Sequence, residues 1–230
     1  MKKIITFLIL TSMLTVSLSA QLKVLTTKGD VKVRYGVSEE WKQLKAGDQI
    51  NLADAIRTSS KSSAVIQIDN QKKIALNEKT IVEMADLRYL SQEELLLKLA
   101  MERILSVPPQ DRDNDLIPAR TTIIHGEKKS KVQLPIPNDI AMMQLNGAKL
   151  LYDNNFYGTC VIRIKEVLRL NQNLSDVVNY KLVTANSLEK SNLFEEALNE
   201  YTSLPFDQLT SPQKQIVQQN IDRLKKKIAE

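Results

Sequence analysis

Residue types that most often carry out acid–base or nucleophilic chemistry are rare in this chain. His125 is the only histidine and Cys160 the only cysteine among its 230 residues. A hydrolytic triad needs a histidine near its nucleophile, and no cysteine or patterned serine lies near His125 in the sequence. One histidine and one distant cysteine also fail to supply the closely spaced ligands of a zinc site. We therefore predict no catalytic residue, no cofactor and no such metal site. We interpret His125 as a structural residue at a strand end and Cys160 as a small buried apolar residue.

Carboxylates are more numerous, but their spacing does not favour a shared site. Adjacent residues diverge by about 100° on a helix and face opposite sides of a strand, so neighbouring glutamates cannot form an acid–base dyad. Three such pairs occur: Glu39-Glu40, Glu93-Glu94 and Glu195-Glu196. The six glycines are scattered, which excludes a glycine-rich phosphate loop.

One acidic run matches only part of a calcium-binding motif. Residues 111–115 alternate oxygen-bearing side chains, as the first half of a calcium-binding loop does. That motif needs a glycine at its sixth position and a glutamate at its twelfth, where this chain has Leu116 and Thr122. We interpret the run as a solvated linker, with a weak calcium contact at Asp111–Asp115 as the alternative.

The first twenty residues have the features of a secretory signal. Lys2 and Lys3 precede an uncharged stretch over 4–18, and small residues follow at Ser19 and Ala20, where a signal peptidase would cut. We therefore expect the protein to be periplasmic or otherwise exported. The alternative is an uncleaved anchor, for which the threonines and serines make the stretch marginal.

The charge balance argues against nucleic acid as a partner. The net charge is +5, and loss of Lys2 and Lys3 would leave 30 basic and 27 acidic residues. The basic run at 223–227 falls at the end of the last predicted helix, where positive charge suits the helix dipole. Contact with a membrane is expected only through an uncleaved signal or, as the less favoured option, through this C-terminal basic helix.

Hydrophobic periodicity divides the remaining chain into a β region and a helical region. Alternation at Val31, Val33 and Tyr35, and again at Ala64, Ile66 and Ile68, predicts half-buried strands between glycine- and aspartate-containing turns. Ser91–Glu94 predicts a capping box that opens a helix over 91–107. Its apolar face is predicted to comprise Leu95, Leu96, Leu99, Met101, Ile104 and Leu105.

Pro108-Pro109 is predicted to end that helix. A proline- and charge-rich linker follows, with a hairpin around Gly126 as a weaker prediction. Further helices are predicted at 139–153, 157–170, 176–190, 193–203 and 212–229, the last with Ser211 as N-cap and Pro212 at its first position.

The β region resembles the FecR domain, named for the iron-dicitrate regulators. The matching segments, in the order and spacing of that family, are Lys28–Val33, Trp41, Leu44–Ile50, Asp54–Thr58, Ala64–Ile66 and Leu76–Thr80. Ala53 stands where the family usually has glycine. Gly29 and Gly47 are expected to supply turn conformations, and Asp30, Asp48 and Asp54 to bond backbone amides in turns. Trp41 is expected to cover one end of the sheet, and Arg57 to pair with Asp54 or Asp48.

The helical region resembles tetratricopeptide repeats. Phe156–Cys160 and Leu193–Ala197 are similar to the second helices of two successive repeats, and Phe156 and Phe194 lie 38 residues apart against a family period of 34. Gly147 lies near the glycine expected in a first helix. Members of this family bind peptides or proteins on the concave face of their first helices. The resemblance implies that this face comprises Gln144, Ala148, Tyr152, Asn179, Asn186 and Lys190, although a purely structural helical stack is the alternative.

Together these observations predict an α+β multidomain protein. The expected units are a signal peptide at 1–20, a FecR-like β domain at 21–90, a capped helix and linker at 91–137, and a tetratricopeptide-like helical domain at 138–230. We expect a non-enzymatic adaptor or scaffold of the cell envelope that binds a protein partner.

Two alternatives remain open. The first is a module that binds peptidoglycan or another glycan through Trp41 and Tyr35, with Arg57 as a further surface residue of the β module. The second is a periplasmic component of a FecR-type signalling pathway. Only three residues precede the apolar stretch, which leaves no room for a sigma-factor-binding segment in this chain.

Overall fold

The computed structural model describes residues 22–68, 72–107, 136–171, 174 and 177–230. The expected signal segment, the run at 111–115, His125 and the hairpin around Gly126 all lie outside these residues. The β region contains eight strands: β1 Leu22–Lys28, β2 Val31–Arg34, β3 Trp41–Gln43, β4 Gln49–Ile50, β5 Ala55–Thr58, β6 Ser63–Gln67, β7 Lys73–Leu76 and β8 Thr80–Glu83. A short 3₁₀ turn, Met84–Asp86, follows them.

The strands form two four-stranded antiparallel sheets. Sheet A has the order β4-β1-β6-β7, and sheet B has the order β3-β2-β5-β8. Alternation in β2, β6 and β7 places every second side chain in the core, as the sequence predicted. Residues of both sheets, such as Val24, Ile66, Val33 and Ile56, belong to one buried cluster. The prediction of short, half-buried strands separated by turns is confirmed.

The turns depend on the glycines and aspartates that the sequence singled out. Gly29 and Gly47 have φ of 76° and 92°, a conformation that favours glycine. The carboxylate of Asp54 accepts hydrogen bonds from Asn51 N at 2.7 Å and from Gly36 N at 2.9 Å. Asp48 accepts from Lys45 N at 2.8 Å. Asp30 differs from expectation, because its carboxylate accepts from the hydroxyl of Ser59 at 2.7 Å.

Six α-helices follow the sheets in the described part of the chain, and their bounds lie close to the predicted ones. They are α1 Gln92–Leu105, α2 Asn138–Asp153, α3 Tyr157–Leu170, α4 Val177–Lys190, α5 Phe194–Thr202 and α6 Ser211–Ala229. A 3₁₀ turn, Phe206–Gln208, precedes α6. No described helix combines the length and the apolar character that crossing a membrane requires.

Two helix starts differ from the prediction. The Ser91 hydroxyl accepts from Glu94 N at 3.1 Å, but the Glu94 carboxylate pairs with Arg88, so only half of the predicted capping box forms. At α6 the N-cap is Thr210, which forms a full capping box with Gln213. Ser211 is therefore the first helical residue and proline the second, because Gln213 lies three residues after Thr210 and completes the capping box.

Helix α1 buries much less than its sequence predicted. Of the predicted apolar face, only Leu95 and Leu99 are buried, whereas Met101, Ile104 and Leu105 are 55–72% exposed and Leu96 is also exposed. One narrow stripe of α1 contacts the other helices, chiefly α3. Most of the predicted apolar face of α1 is therefore exposed within the described residues.

The sheets and the helices are joined directly. A β-carbon built at Gly147 of α2 would lie 1.9 Å from the carbonyl oxygen of Ile81 in β8, so this helix reaches the strand backbone only because residue 147 is glycine. Arg163 of α3 pairs with Asp86 at 2.7 Å. Leu145 and Ile164 share the buried cluster of the strands. The boundary predicted at residue 138 therefore does not separate two hydrophobic cores.

Candidate functional site

A cleft of about 400 Å³ lies between helices α1, α3, α4 and α5 of the described structure. Its apolar lining comes from Leu99, Leu168 and Leu188, one residue each from α1, α3 and α4. Residues 99, 102, 103 and 106 of α1 also line the cleft, because positions three, four and seven apart share one helix face. The same spacing brings Lys165, Leu168 and Arg169 of α3 into it.

Two ion pairs hold the walls of this cleft. Arg169 Nε donates to the Glu102 carboxylate at 2.8 Å and thereby joins α3 to α1. Each side chain of this pair is only 14% exposed, and the hydrogen bond to Glu102 raises the pKa of Arg169. Lys165 Nζ lies 2.6 Å from the Glu200 carboxylate and joins α3 to α5. Helix α3 is thus linked to α1 and to α5 by ion pairs at the cleft.

Three further charged side chains line the cleft without an ion pair among the described residues. These are Arg103, Lys181 and Glu196. The cleft can therefore pair with groups of both signs above an apolar floor. No histidine or cysteine lines it. In the part of the chain that the structure describes, no group of three or more His, Cys, Asp or Glu side chains could hold a metal ion.

The residues predicted on the first of the two repeats do not form an open surface. Ala148 is 0% exposed and therefore cannot contact a partner in this conformation. Gln144 borders a small gap against Ile81 and Glu83 of β8. Tyr152 is half-buried with its ring 5.5 Å from that of Tyr157, and burial raises its pKa. The β region packs on the face that the resemblance to repeats implied would be open.

The residues predicted on the second repeat form contacts within the chain. Asn179 accepts from Gln213 Nε2 of α6 at 2.9 Å. Asn186 accepts from the Tyr201 hydroxyl at 2.7 Å. Lys190 is exposed and lies by Tyr89 and Tyr157, at the end of α4. None of the six predicted residues lines the cleft.

On the β region, the structure brings two of the three predicted surface residues together. The guanidinium carbon of Arg57 lies 4.7 Å from the ring centroid of Trp41, and that of Arg34 lies 5.6 Å from it. Arg57 thus stacks on Trp41 and does not pair with Asp54 or Asp48, because turn amides occupy those carboxylates. Tyr35 is 40% exposed and lies just after β2. Its pKa is raised by partial burial and by the charges of Asp48 and Asp54.

Cys160 is buried, and its surroundings make it unreactive. Burial raises the pKa of its thiol to about 12, against an ordinary value of 9.0. Its sulfur accepts from the Ser187 hydroxyl at 3.6 Å. Because the thiolate is the nucleophilic form, this cysteine is a packing residue at neutral pH.

Comparisons with protein-family models, with curated proteins and with solved structures find no match for this chain.

Proposed function

We propose that this protein is a non-enzymatic adaptor of the cell envelope that binds a protein partner in the cleft between α1, α3, α4 and α5. The observation that carries the proposal is the composition of that cleft. An apolar floor lies beside Arg103, Lys181 and Glu196, which have no ion pair among the described residues. Such a surface fits a peptide segment with apolar side chains and charges of both signs.

A tetratricopeptide-like origin of the helices agrees with their arrangement. Helices α2 and α3 form one adjacent pair, α4 and α5 form another, and α6 packs on α5. We place the partner site in the cleft between the second helices, α3 and α5, which α1 and α4 also line, and not on the six residues that the resemblance to repeats implied. The reason is that Ala148 is fully buried whereas this cleft is open.

We also propose that the β region is FecR-like, because the residues that match that family have structural roles in it. Gly29, Gly47 and Asp54 close turns. The Thr58 hydroxyl donates to Asn77 O at 2.5 Å and accepts from Thr80 N at 3.1 Å, which joins β5 to the start of β8. Each of these matching residues thus has a defined structural use. Export through residues 1–20 is part of the same proposal.

Charge reversal at the cleft tests this function. Lys181→Glu and Arg103→Glu remove the unpaired positive charges without breaking an ion pair of the described structure. Each purified variant, and the original chain, would be crosslinked in envelope extract, and the recovered proteins quantified by mass spectrometry. A specific partner is expected with the original chain and is expected to be lost with both variants.

Lys226→Glu serves as the matched control, because Lys226 is an exposed lysine near the end of α6 and remote from the cleft lining. It should recover the partner at the original level. Recovery of the same proteins by all four chains, or of no specific protein by the original chain, would contradict the proposal.

A further inference from the structure

We propose that the free edge of strand β3 binds an extended acidic peptide, which adds a strand to sheet B. This surface lies on the β region and shares no residue with the cleft. The proposal is therefore independent of the function proposed above.

The backbone of β3 is open on one side. Among the residues that the structure describes, β3 pairs only with β2, in the register Val33↔Lys42 and Arg34↔Trp41. Leu44 N donates to Val31 O at 2.9 Å, so the bonded pairs at this edge are Leu44 with Val31 and, two residues on, Lys42 with Val33. This alternation directs the backbone N–H and C=O groups of Trp41 and Gln43 away from β2. An added strand pairs with groups of this kind.

The opposite edge of the same sheet is covered. Helix α2 lies against β8, where Gly147 approaches the Ile81 carbonyl. Asn146 Nδ2 of that helix donates to Lys79 O at 2.8 Å, just before β8 begins. At β3, by contrast, the side chains of Lys42 and Gln43 are exposed. Sheet B can therefore accept a strand at β3 and not at β8.

The outer face of sheet B beside this edge has excess positive charge. Lys32 and Arg57 occupy directly opposite positions on β2 and β5. Like charges in such positions destabilise a sheet unless an anion compensates them. Arg34 is compensated by Glu83 at 2.7 Å, whereas the carboxylate nearest to Lys32 is Asp30 at 3.9 Å. Arg57 has no ion pair among the described residues.

Trp41 brings the charge of Arg57 to the edge strand. Arg57 belongs to β5, two strands from the edge, yet its guanidinium carbon lies 4.7 Å from the Trp41 ring centroid. A stacked guanidinium loses little further freedom when it meets a carboxylate. Alternate side chains of a β-strand lie about 7 Å apart on one face. Acidic residues at alternate positions of the added strand would therefore all lie on the basic face.

A selection experiment tests the proposal. Phage-displayed random nine-residue peptides would be selected on the purified chain without its expected signal segment, residues 21–230. The enriched sequences would then be synthesised with a fluorescent label. We expect acidic residues at alternate positions. Gln43→Pro removes an outward N–H that the sheet does not use and should weaken binding at least tenfold, whereas Gln43→Ala should bind normally. Arg57→Gln should weaken binding several-fold and reduce its salt dependence.

Amide hydrogen exchange gives a second measurement that needs no variant. The selected peptide should slow exchange of the Trp41 and Gln43 amides in the original chain. Unchanged exchange at both amides, or a selection without acidic enrichment, would overturn the proposal. The proposal would also be overturned if polygalacturonate bound the original chain and a folded Gln43→Pro variant with the same affinity. That result would show that the basic face is a site for anionic glycan.

Discussion

The β region and the helical region use their polar side chains in different ways. In the β region, buried polar groups close turns, as Asp54 does for two backbone amides and Thr58 does between β5 and β8. In the helical region, partly buried charges connect helices, as Arg169 with Glu102 and Lys165 with Glu200. The two candidate surfaces contain charged side chains that take no part in these structural contacts.

The two regions also differ in what shapes those surfaces. The cleft forms where four helices leave space between them, so each helix contributes a few side chains. The basic face of sheet B forms within three neighbouring strands and follows from their register alone. A concave site suits side chains of a partner, whereas a flat face with an open edge suits an extended backbone.

The largest effect is expected from a substitution that disrupts the contact between the two regions. Gly147→Ala places a β-carbon 1.9 Å from Ile81 O, and neither the strand nor the helix backbone can yield easily. We expect a loss of about 3 kcal/mol in the free energy of unfolding, measured by urea denaturation. Gly158→Ala is the matched control, since its β-carbon would lie 3.1 Å from the nearest atom, Leu90 Cβ, and a shift of a few tenths of an ångström would relieve that contact. Equal stability of the two variants would show that α2 does not depend on this close approach.

The next effect concerns the turns of the β region. Asp54 is 3% exposed, and Asp54→Ala would leave the amides of Gly36 and Asn51 without their acceptor. We expect a loss of about 2 kcal/mol, measured in the same way. Asp48→Ala removes one bond in a more exposed turn and should lose less than about 1 kcal/mol. The opposite order would mean that burial does not set the importance of these carboxylates.

The smallest effect is a pH dependence that arises in the helical region. The Cys160 thiol has a pKa of about 12 in the folded chain against 9.0 ordinarily, so above pH 9 only the unfolded chain releases its proton. Stability from this group is complete below pH 9 and is lost as the pH rises towards 12. We expect a decrease of about 1 kcal/mol between pH 9 and pH 10.

Cys160→Ala should reduce that slope even if it lowers the stability at neutral pH. Tyr201, whose burial raises its pKa to about 12 from 10.0, contributes a similar loss that begins near pH 10. Tyr201→Phe should therefore change the profile only above that value. A slope unaltered by Cys160→Ala between pH 9 and pH 10 would exclude the thiol as its source.

Local patterns predicted most of the secondary structure. Period-two alternation located β2 and β6, and the helices predicted at 139–153 and 157–170 match the limits of α2 and α3 to within one residue. The exact cap of α6 was missed because Thr210, Ser211 and Pro212 offer overlapping start signals. Such signals decide a helix start only through competition between side chains for the same amides.

The candidate sites were less predictable because they depend on packing between distant segments. Ala148 has the size and spacing of a surface position in a helical repeat, yet it is fully buried in a helix that packs on both β8 and α3. Residues 99, 102, 103 and 106 share a helix face by their spacing, yet the sequence does not reveal which helices lie opposite them. Arg57 was expected to pair with a carboxylate, but the carboxylates of Asp48 and Asp54 accept hydrogen bonds from backbone amides in their own turns.

The close approach of Gly147 to Ile81 also bears on self-association. Sheets of identical chains can join edge to edge in an unlimited series only when each sheet offers two open edges, because every added sheet must present a new one. Helix α2 blocks one edge of sheet B, so a strand added at β3 ends the series on that sheet. Because α2 packs closely on β8 at Gly147, sheet B can gain one strand at β3 but cannot grow into a fibre.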